Sequence, residues 1–330
     1  VRHLLLGAVL GLVILVLGMT SLFLGSHGTH PGEVIASLNH FDPQNSTHVI
    51  VWRLRLPRFA TAVVAGLGLG AATAVIQSMT RNPLAEPGLL GINSGAALFV
   101  TLGLVFWQAD SAAAMMVMAM LGAAAAGAVV LMVGGAFSGT ADPIRLVLAG
   151  AAFSAVIAAF TIMLLLNYPS VFVAFRYWDA GGVAPRPWPL ILLGAAMVGL
   201  GALVAAAAAR SLDALALGQD LGKAMGASTR RAWGLGSVSV VILCGSATAL
   251  VGPIGFLGLA AAVASRRLCR GGLMTVAPIA ALFASAVLLA ADLIGRRLAS
   301  PAEMQAGLVC GLLGAPVFVA IARRSRVVTA

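Results

Sequence analysis

Apolar runs separated by short polar breaks occupy most of the chain, and their length is the first physical fact it offers. About 20 apolar residues, rising ~1.5 Å each, cross roughly 30 Å of hydrocarbon. Ten runs of about that kind occur, at 4–24, 59–79, 89–107, 112–137, 146–166, 190–209, 232–251, 254–265, 273–294 and 304–322. The eighth is short. A single helix over 232–265 would nevertheless run ~51 Å, too long for one bilayer. Gly252-Pro253 supplies a break there, because proline removes a backbone donor and disfavours helix in the residue before it. The expectation is an all-α integral membrane protein, one domain over 1–330, with ten transmembrane helices.

The break between the second and third runs reads "RNPLAEPGLLGINSGAAL" (81–98). Pro83 and Pro87 stop a helix from continuing, so Asn82, Pro83, Pro87 and Gly91 are expected to form a structural hinge. Ser94 and Gly95 then allow close helix packing, the usual device in lipid. A direct contact of Asn93 or Ser94 with a substrate is the other reading.

Composition agrees with the pattern. The chain is 61% hydrophobic and 9% charged, with mean hydropathy +1.04, whereas a soluble domain carries about 25% charged residues. In a soluble protein the net charge of +10 would point to nucleic acid. Here it reads as basic cytoplasmic loops, and no nucleic-acid partner is expected. With ten crossings both termini share a side. That side holds thirteen lysines and arginines against seven on the other, so both termini are expected in the cytoplasm. The run 4–24 exceeds a signal-peptide core and reads as a first span.

The seven arginines on the other side are Arg53, Arg55, Arg58, Arg176, Arg186, Arg296 and Arg297. Snorkelling along an interfacial helix is one explanation. A basic outer face for an acidic partner is another, since guanidinium binds carboxylate bidentately. Asp292 stands four residues before Arg296, at the spacing of an intrahelical pair. On the inner side the loop 210–231 alternates apolar and charged residues, with Leu217, Leu221 and Met225 at fourfold spacing. That pattern predicts a short amphipathic helix on the membrane surface, either a cap for the bundle or a coupling element for a cytoplasmic partner.

Several chemistries are missing. Lys223 is the only lysine and is followed by Ala224, so no phosphate-binding GxxxxGK[ST] loop exists. Within the ten runs Asp292 is the only acid, which disfavours an autonomous ion-coupled carrier. Cys244, Cys269 and Cys310 lack metal-ligand spacing and read as packing residues. His27, His30, His40 and His48 read as loop residues, and no metal site or cofactor is expected.

Taken together, "LRLPRFATAVVAGLGLGAATAVIQSMTRNPLAEPGLLGINSGAAL" (54–98), "RLVLAG" (145–150), "GQDLGKAMGAS" (218–228), "GPIGFLGLAA" (252–261), "LLAADLIGR" (288–296) and "EMQAGLVCGLLGAPVFVAIARR" (303–324) occur in one order. The chain thereby resembles the FecCD-type permeases, membrane subunits of iron-siderophore, haem and cobalamin ATP-binding cassette importers. The resemblance implies a type II importer permease fold of ten helices. It implies a second permease subunit, two cytoplasmic ATPase subunits that bind ATP and magnesium, and an extracytoplasmic binding protein delivering a ferric siderophore. It also implies residue roles. Arg55, Arg58 and Arg296 would dock the binding protein. Leu217, Gly218, Gln219, Asp220, Lys223, Ala224 and Gly226 would couple to the ATPase. Ser138, Gly139, Thr140 and Asp142 would form an inner gate.

The chain departs from that family at Ala262 and Val263, where a Pro-His pair is usual, and at Gln305, where proline is usual. These departures point to one half of a heterodimer, with a homodimer as the other reading. Cobalamin or haem as cargo, and a carrier needing no partners, are the competing readings.

Overall fold

The computed structural model describes residues 2–24, 30–135, 143–216, 218–269, 271–299 and 302–324, and every regular element among them is helical. In chain order the helices are α1 (Arg2–Phe23), α2 (Pro31–Asn39), α3 (Ser46–Ile50), α4 (Leu56–Thr80), α5 (Ile92–Trp107), α6 (Ala112–Val133), α7 (Pro143–Asn167), α8 (Pro169–Asp179), α9 (Trp188–Ala216), α10 (Gln219–Ala224), α11 (Thr229–Val251), α12 (Leu257–Leu268), α13 (Leu273–Leu298) and α14 (Ala306–Arg324). A π-helical turn, Val51–Arg55, joins α3 to α4, and a 3-10 turn, Pro87–Leu90, precedes α5.

Seven of the helical stretches are long and apolar enough to cross a membrane. The others expected to cross are shorter. The third is the 16 residues of α5, the tenth begins with the apolar Ala306–Pro316, and the eighth, α12, has 12 residues and rises only ~18 Å. Helix α12 is short because Gly252–Gly255 is non-helical and Phe256 takes a left-handed φ of 63°. The chain therefore leaves α11 extended before it can wind again.

Helix α4 runs through the centre, packed by α9, α11, α12 and α13. Its apolar window is 78% buried, as is that of α11, against 17% for α7. Small residues make this possible. A Cβ on Gly66 would strike the backbone of Ser285, and one on Gly70 would strike the carbonyl of Ala280. Two glycines one turn apart thus let α4 lie directly on α13, the small-xxx-small logic of packing in lipid. Ser285 adds a hydrogen bond from its Oγ to the Val63 carbonyl at 3.0 Å. The largely exposed apolar faces of α1, α7 and α9 are what hydrocarbon, rather than water, requires.

Candidate functional site

At the α4 N-terminus one local irregularity sorts the arginines. Asn45 caps α3 by accepting the Thr47 N–H at 2.9 Å, and the π turn then carries one residue more than an α-turn would. Trp52, Arg53 and Leu54 face outward, while Val51 and Arg55 are buried. Arg55 Nη1 donates to the Leu22 carbonyl, and Arg58 lies one turn further on.

Arg58, Arg296 and Asp292 form a single cluster. Arg58 Nη2 meets Asp292 Oδ1 at 2.7 Å, and its Nε reaches both carboxylate oxygens at 3.2 Å. Arg58 Nη1 meets Glu303 Oε2 at 2.6 Å. Arg296 pairs with the other oxygen of Asp292 from one turn along α13, and donates to Ser21 Oγ at 3.1 Å. Asp292 is 2% exposed, and that one buried carboxylate serves two guanidiniums. The three arginines expected on an outer docking face do converge, but with little of them open. Arg55 and Arg296 are each 5% exposed, whereas the Arg58 side chain keeps 15% and Glu303 35%. A buried cation must be hydrogen-bonded, and carbonyls, Ser21 and Asp292 supply those bonds inside the chain, with Arg296 Nε left without a partner among the described residues. Sequence reasoning passed over Glu303, which is visible only as a lone acid before an apolar run.

The opposite end, expected on the inner side, is built on α9. Its last turns carry Asp213, whose carboxylate accepts the Leu273 N–H at 2.9 and 3.1 Å and so caps α13. Arg81, the left-handed C-cap of α4, donates to the Leu215 carbonyl. Helix α10 follows, set off by Gly218 at φ 125° and Gly226 at φ 84°. Leu217 lies outside the described residues, as do the side chains of Gln219 and Lys223. Asp220 and Ala224 are exposed, and Leu221 and Met225 present apolar side chains that are 53% and 62% exposed. The expected gate residues Ser138, Gly139, Thr140 and Asp142 lie outside the described residues.

The hinge is a folded unit. Asn82 Oδ1 accepts the Leu84 N–H at 2.9 Å, Gln77 Nε2 donates to the Pro83 carbonyl at 2.8 Å, and Pro87 starts the 3-10 turn. Gly91 ends it at φ 70°, where a Cβ would crowd Phe153. Glu86 was not singled out by sequence, yet its Oε1 accepts the Phe256 N–H at 2.9 Å, and Phe256 stacks edge-on against Phe318 of α14. Burial pushes the Glu86 carboxyl above the usual range, and the Phe256 N–H draws it partly back. Ala262 and Val263, where the chain departs from the family pattern, are interior; Val263 packs against Leu84 and Phe318.

Helix ends also meet in the middle of the chain. The Gly182 N–H donates to the Val251 carbonyl and the Gly307 N–H to the Gly181 carbonyl, both at 2.8 Å, which joins the ends of α8, α11 and α14. Beside them lies a cavity of about 290 Å³ whose polar lining is Asn93, Ser94, Thr161 and Asp179. Asn93 is held there, its Oδ1 accepting from Thr248 Oγ1 at 3.0 Å. The cavity's remaining lining is apolar, from Ala97, Ala158, Ile162, Leu165, Phe175 and Pro253; broken helices around a cavity are how transporters expose backbone and side-chain groups to a passing solute.

Comparisons with known proteins agree over nearly the whole chain. It is 36% identical over 322 residues to the ferric enterobactin transport system permease protein FepD of Escherichia coli (strain K12), covering 96% of this chain and 95% of that one. It is 34% identical over 319 residues to the iron(3+)-hydroxamate import system permease protein FhuB of Bacillus subtilis (strain 168), covering 96% and 82%. A solved chain of a metal-chelate type ABC transporter, in an inward-facing conformation, has the same fold at a TM-score of 0.82 and 23% identity, covering 97% of this chain and 99% of that one. The model of the FecCD transport family matches residues 12–324. With a multi-pass helical fold, no phosphate-binding loop and this family match over nearly its full length, the chain belongs to the FecCD transport family of permeases.

Proposed function

We propose that this chain is the permease subunit of an ATP-driven importer that carries a ferric siderophore across the cytoplasmic membrane. The observation that carries the cargo is the 36% identity, over nearly the whole chain, to a ferric enterobactin permease; the hydroxamate relative supports the broader class of iron chelates. In this reading the chain crosses the membrane ten times with both termini inside, and α5 and α12 make short crossings. ATP and magnesium belong to a separate cytoplasmic ATPase, a second permease subunit completes the pathway, and an external binding protein delivers the chelate.

Docking of that binding protein uses the arginine cluster. Its acidic residue reaches Arg58, the guanidinium with an open edge, in competition with Glu303; Arg55 and Arg296 hold the cluster from beneath. The ATPase grips α10 through Leu221 and Met225. Movement then passes through the two ties at the α9 end, Arg81 to the Leu215 carbonyl and Asp213 to the α13 N-terminus. Nucleotide shifts the permease between its arrangements only as far as the ATPase binds them unequally. The segment holding Ser138, Gly139, Thr140 and Asp142 closes the inner side.

The test is uptake of radiolabelled iron as catecholate, hydroxamate and citrate chelates by iron-starved cells with and without the gene. Loss of uptake of one or more chelates is expected. Normal iron uptake with lost use of haem or cobalamin would replace the cargo, and iron flux through vesicles holding this chain alone would remove the ATP-driven mechanism.

A further inference from the structure

Two concavities lie on one seam between α4 and α9. The first is at the N-terminal ends of both helices, has a volume of about 760 Å³, and is lined by Phe41, Trp52, Arg53, Arg186 and Trp188, with prolines between them and no acid. The second, of about 430 Å³, lies deeper and is wholly apolar, lined by Val64 and Leu67 of α4, Ala195, Gly199 and Ala202 of α9, and Pro278 of α13. Helical spacing places them on common helix faces. Pro57 of the first and Val64, Leu67 and Ala71 of the second follow at seven, three and four residues along α4. Trp188, Ala195, Gly199 and Ala202 follow at seven, four and three along α9. Each set is one helix face. Two turns, ~10 Å, separate the basic cavity from the start of the apolar one.

We propose that this seam binds one acidic phospholipid, its phosphate between Arg53 and Arg186 and one acyl chain in the groove below. The chemistry is that of a lipid in both halves. Arg53 is exposed, with no ion-pair partner among the described residues. Arg186 is held in place by donating its Nε to the Leu250 carbonyl at 3.0 Å. Trp52 is fixed by its Nε1 donating to the Ser37 carbonyl at 2.8 Å and by an edge contact with Phe41, and it stands with Trp188 where aromatic rings meet headgroups. Below, a groove between membrane-spanning helices has hydrocarbon as its solvent, and small residues together with Pro278 leave room for a chain. Two cations without an acid select a headgroup with net negative charge over a zwitterionic one. The ligand is the lipid of the leaflet at the α4 N-terminus, the outer leaflet in the proposed topology.

The experiment is native mass spectrometry of the purified full chain, loaded in turn with palmitoyl-oleoyl phosphatidylglycerol and the matching phosphatidylcholine. Wild type is expected to retain one phosphatidylglycerol in preference to phosphatidylcholine, and Arg53→Gln to reduce that preference by about fivefold. A Cβ on Gly199 meets no atom within 4 Å, so Gly199→Leu fills the groove without disturbing the helix and is expected to lower retention of both lipids. Equal retention of the two lipids by wild type would overturn the proposal, as would unchanged retention in both variants. A shift of Gly199→Leu from one oligomeric state to another would also overturn it, by making the groove a contact between copies. None of these outcomes bears on which chelate is carried.

Discussion

Arg58 and Asp292 are 234 residues apart in sequence and 2.7 Å apart in space, on the two helices whose glycine-mediated contact forms the centre of the protein. Because Asp292 also holds Arg296, its charge is shared between two cations. Replacing Asp292 by Asn leaves two guanidiniums facing a neutral amide with little access to water. Removing one partner of a buried pair costs about 3–5 kcal/mol, and a loss in that range is expected in the thermal stability of detergent-purified protein. Glu303, at 35% exposure, is worth far less: Glu303→Gln is expected to cost no more than ~1 kcal/mol.

The same two acids separate structure from docking. If a partner carboxylate competes with Glu303 for Arg58, Glu303→Gln strengthens binding of the cognate binding protein and Arg58→Glu weakens it. Surface plasmon resonance at low and high salt checks both. Weakened binding in Glu303→Gln would show that Glu303 is itself a contact rather than a competitor.

Glu86 gives the chain a pH dependence with a definite sign. Burial raises its pKa in the folded state, so the native protein holds this proton more tightly than the unfolded chain does. Stability from this group is present below the ordinary glutamate range and is lost as pH rises towards the raised value. Glu86→Gln keeps an acceptor for the Phe256 N–H and removes the titration. Melting curves across mildly acidic to neutral pH should show a downward slope for wild type that is absent in the variant.

At the α4–α13 contact, Gly70→Leu drives a side chain into the carbonyl of Ala280. The expected cost lies at or beyond the upper end of ~1–3 kcal/mol for overpacking. The matching change at Gly199, in open space, is expected to leave folding intact; thermal unfolding of the two variants side by side makes the comparison.

Asp213→Ala removes the cap of α13 and one of the two ties at the root of α10. Loss of a cap costs about 0.5–2 kcal/mol. The larger expected effect is functional: ATP hydrolysis by the assembled importer continues while uptake per ATP falls. Parallel loss of both activities would mean that assembly, not transmission, had failed.

The sequence made the membrane character and most helices legible because hydrophobic length is a one-dimensional property. It also located the hinge, where Pro83 and Pro87 act locally. Helix α12 was legible in length but not in position: the run 254–265 has the observed 12 residues, and the extended Gly252–Gly255 and left-handed Phe256 move the helix three residues on, to Leu257–Leu268. The arginines expected in outer loops were found by counting charge, but charge does not reveal direction. Whether an arginine faces solvent or Asp292 depends on a helix over two hundred residues away and on a π turn that no residue pattern announces. Glu86 and Glu303 were missed for a related reason, since their partners are a backbone N–H and an arginine brought in from distant segments.

The π turn at Val51–Arg55 has a consequence for how this end of the protein tolerates length changes. An α-helix advances ~100° per residue, so deleting one residue here would let the ladder close as ordinary α-helix and swing α2 and α3 about a quarter-turn around the α4 axis. Trp52 would leave the Ser37 carbonyl, and a guanidinium now directed at solvent would exchange places with one directed at Leu22. A single surplus amino acid thus acts as a phase shift between two surfaces of one rod. Insertions or deletions in this pentapeptide are therefore expected to be far more disruptive than substitutions at the same positions.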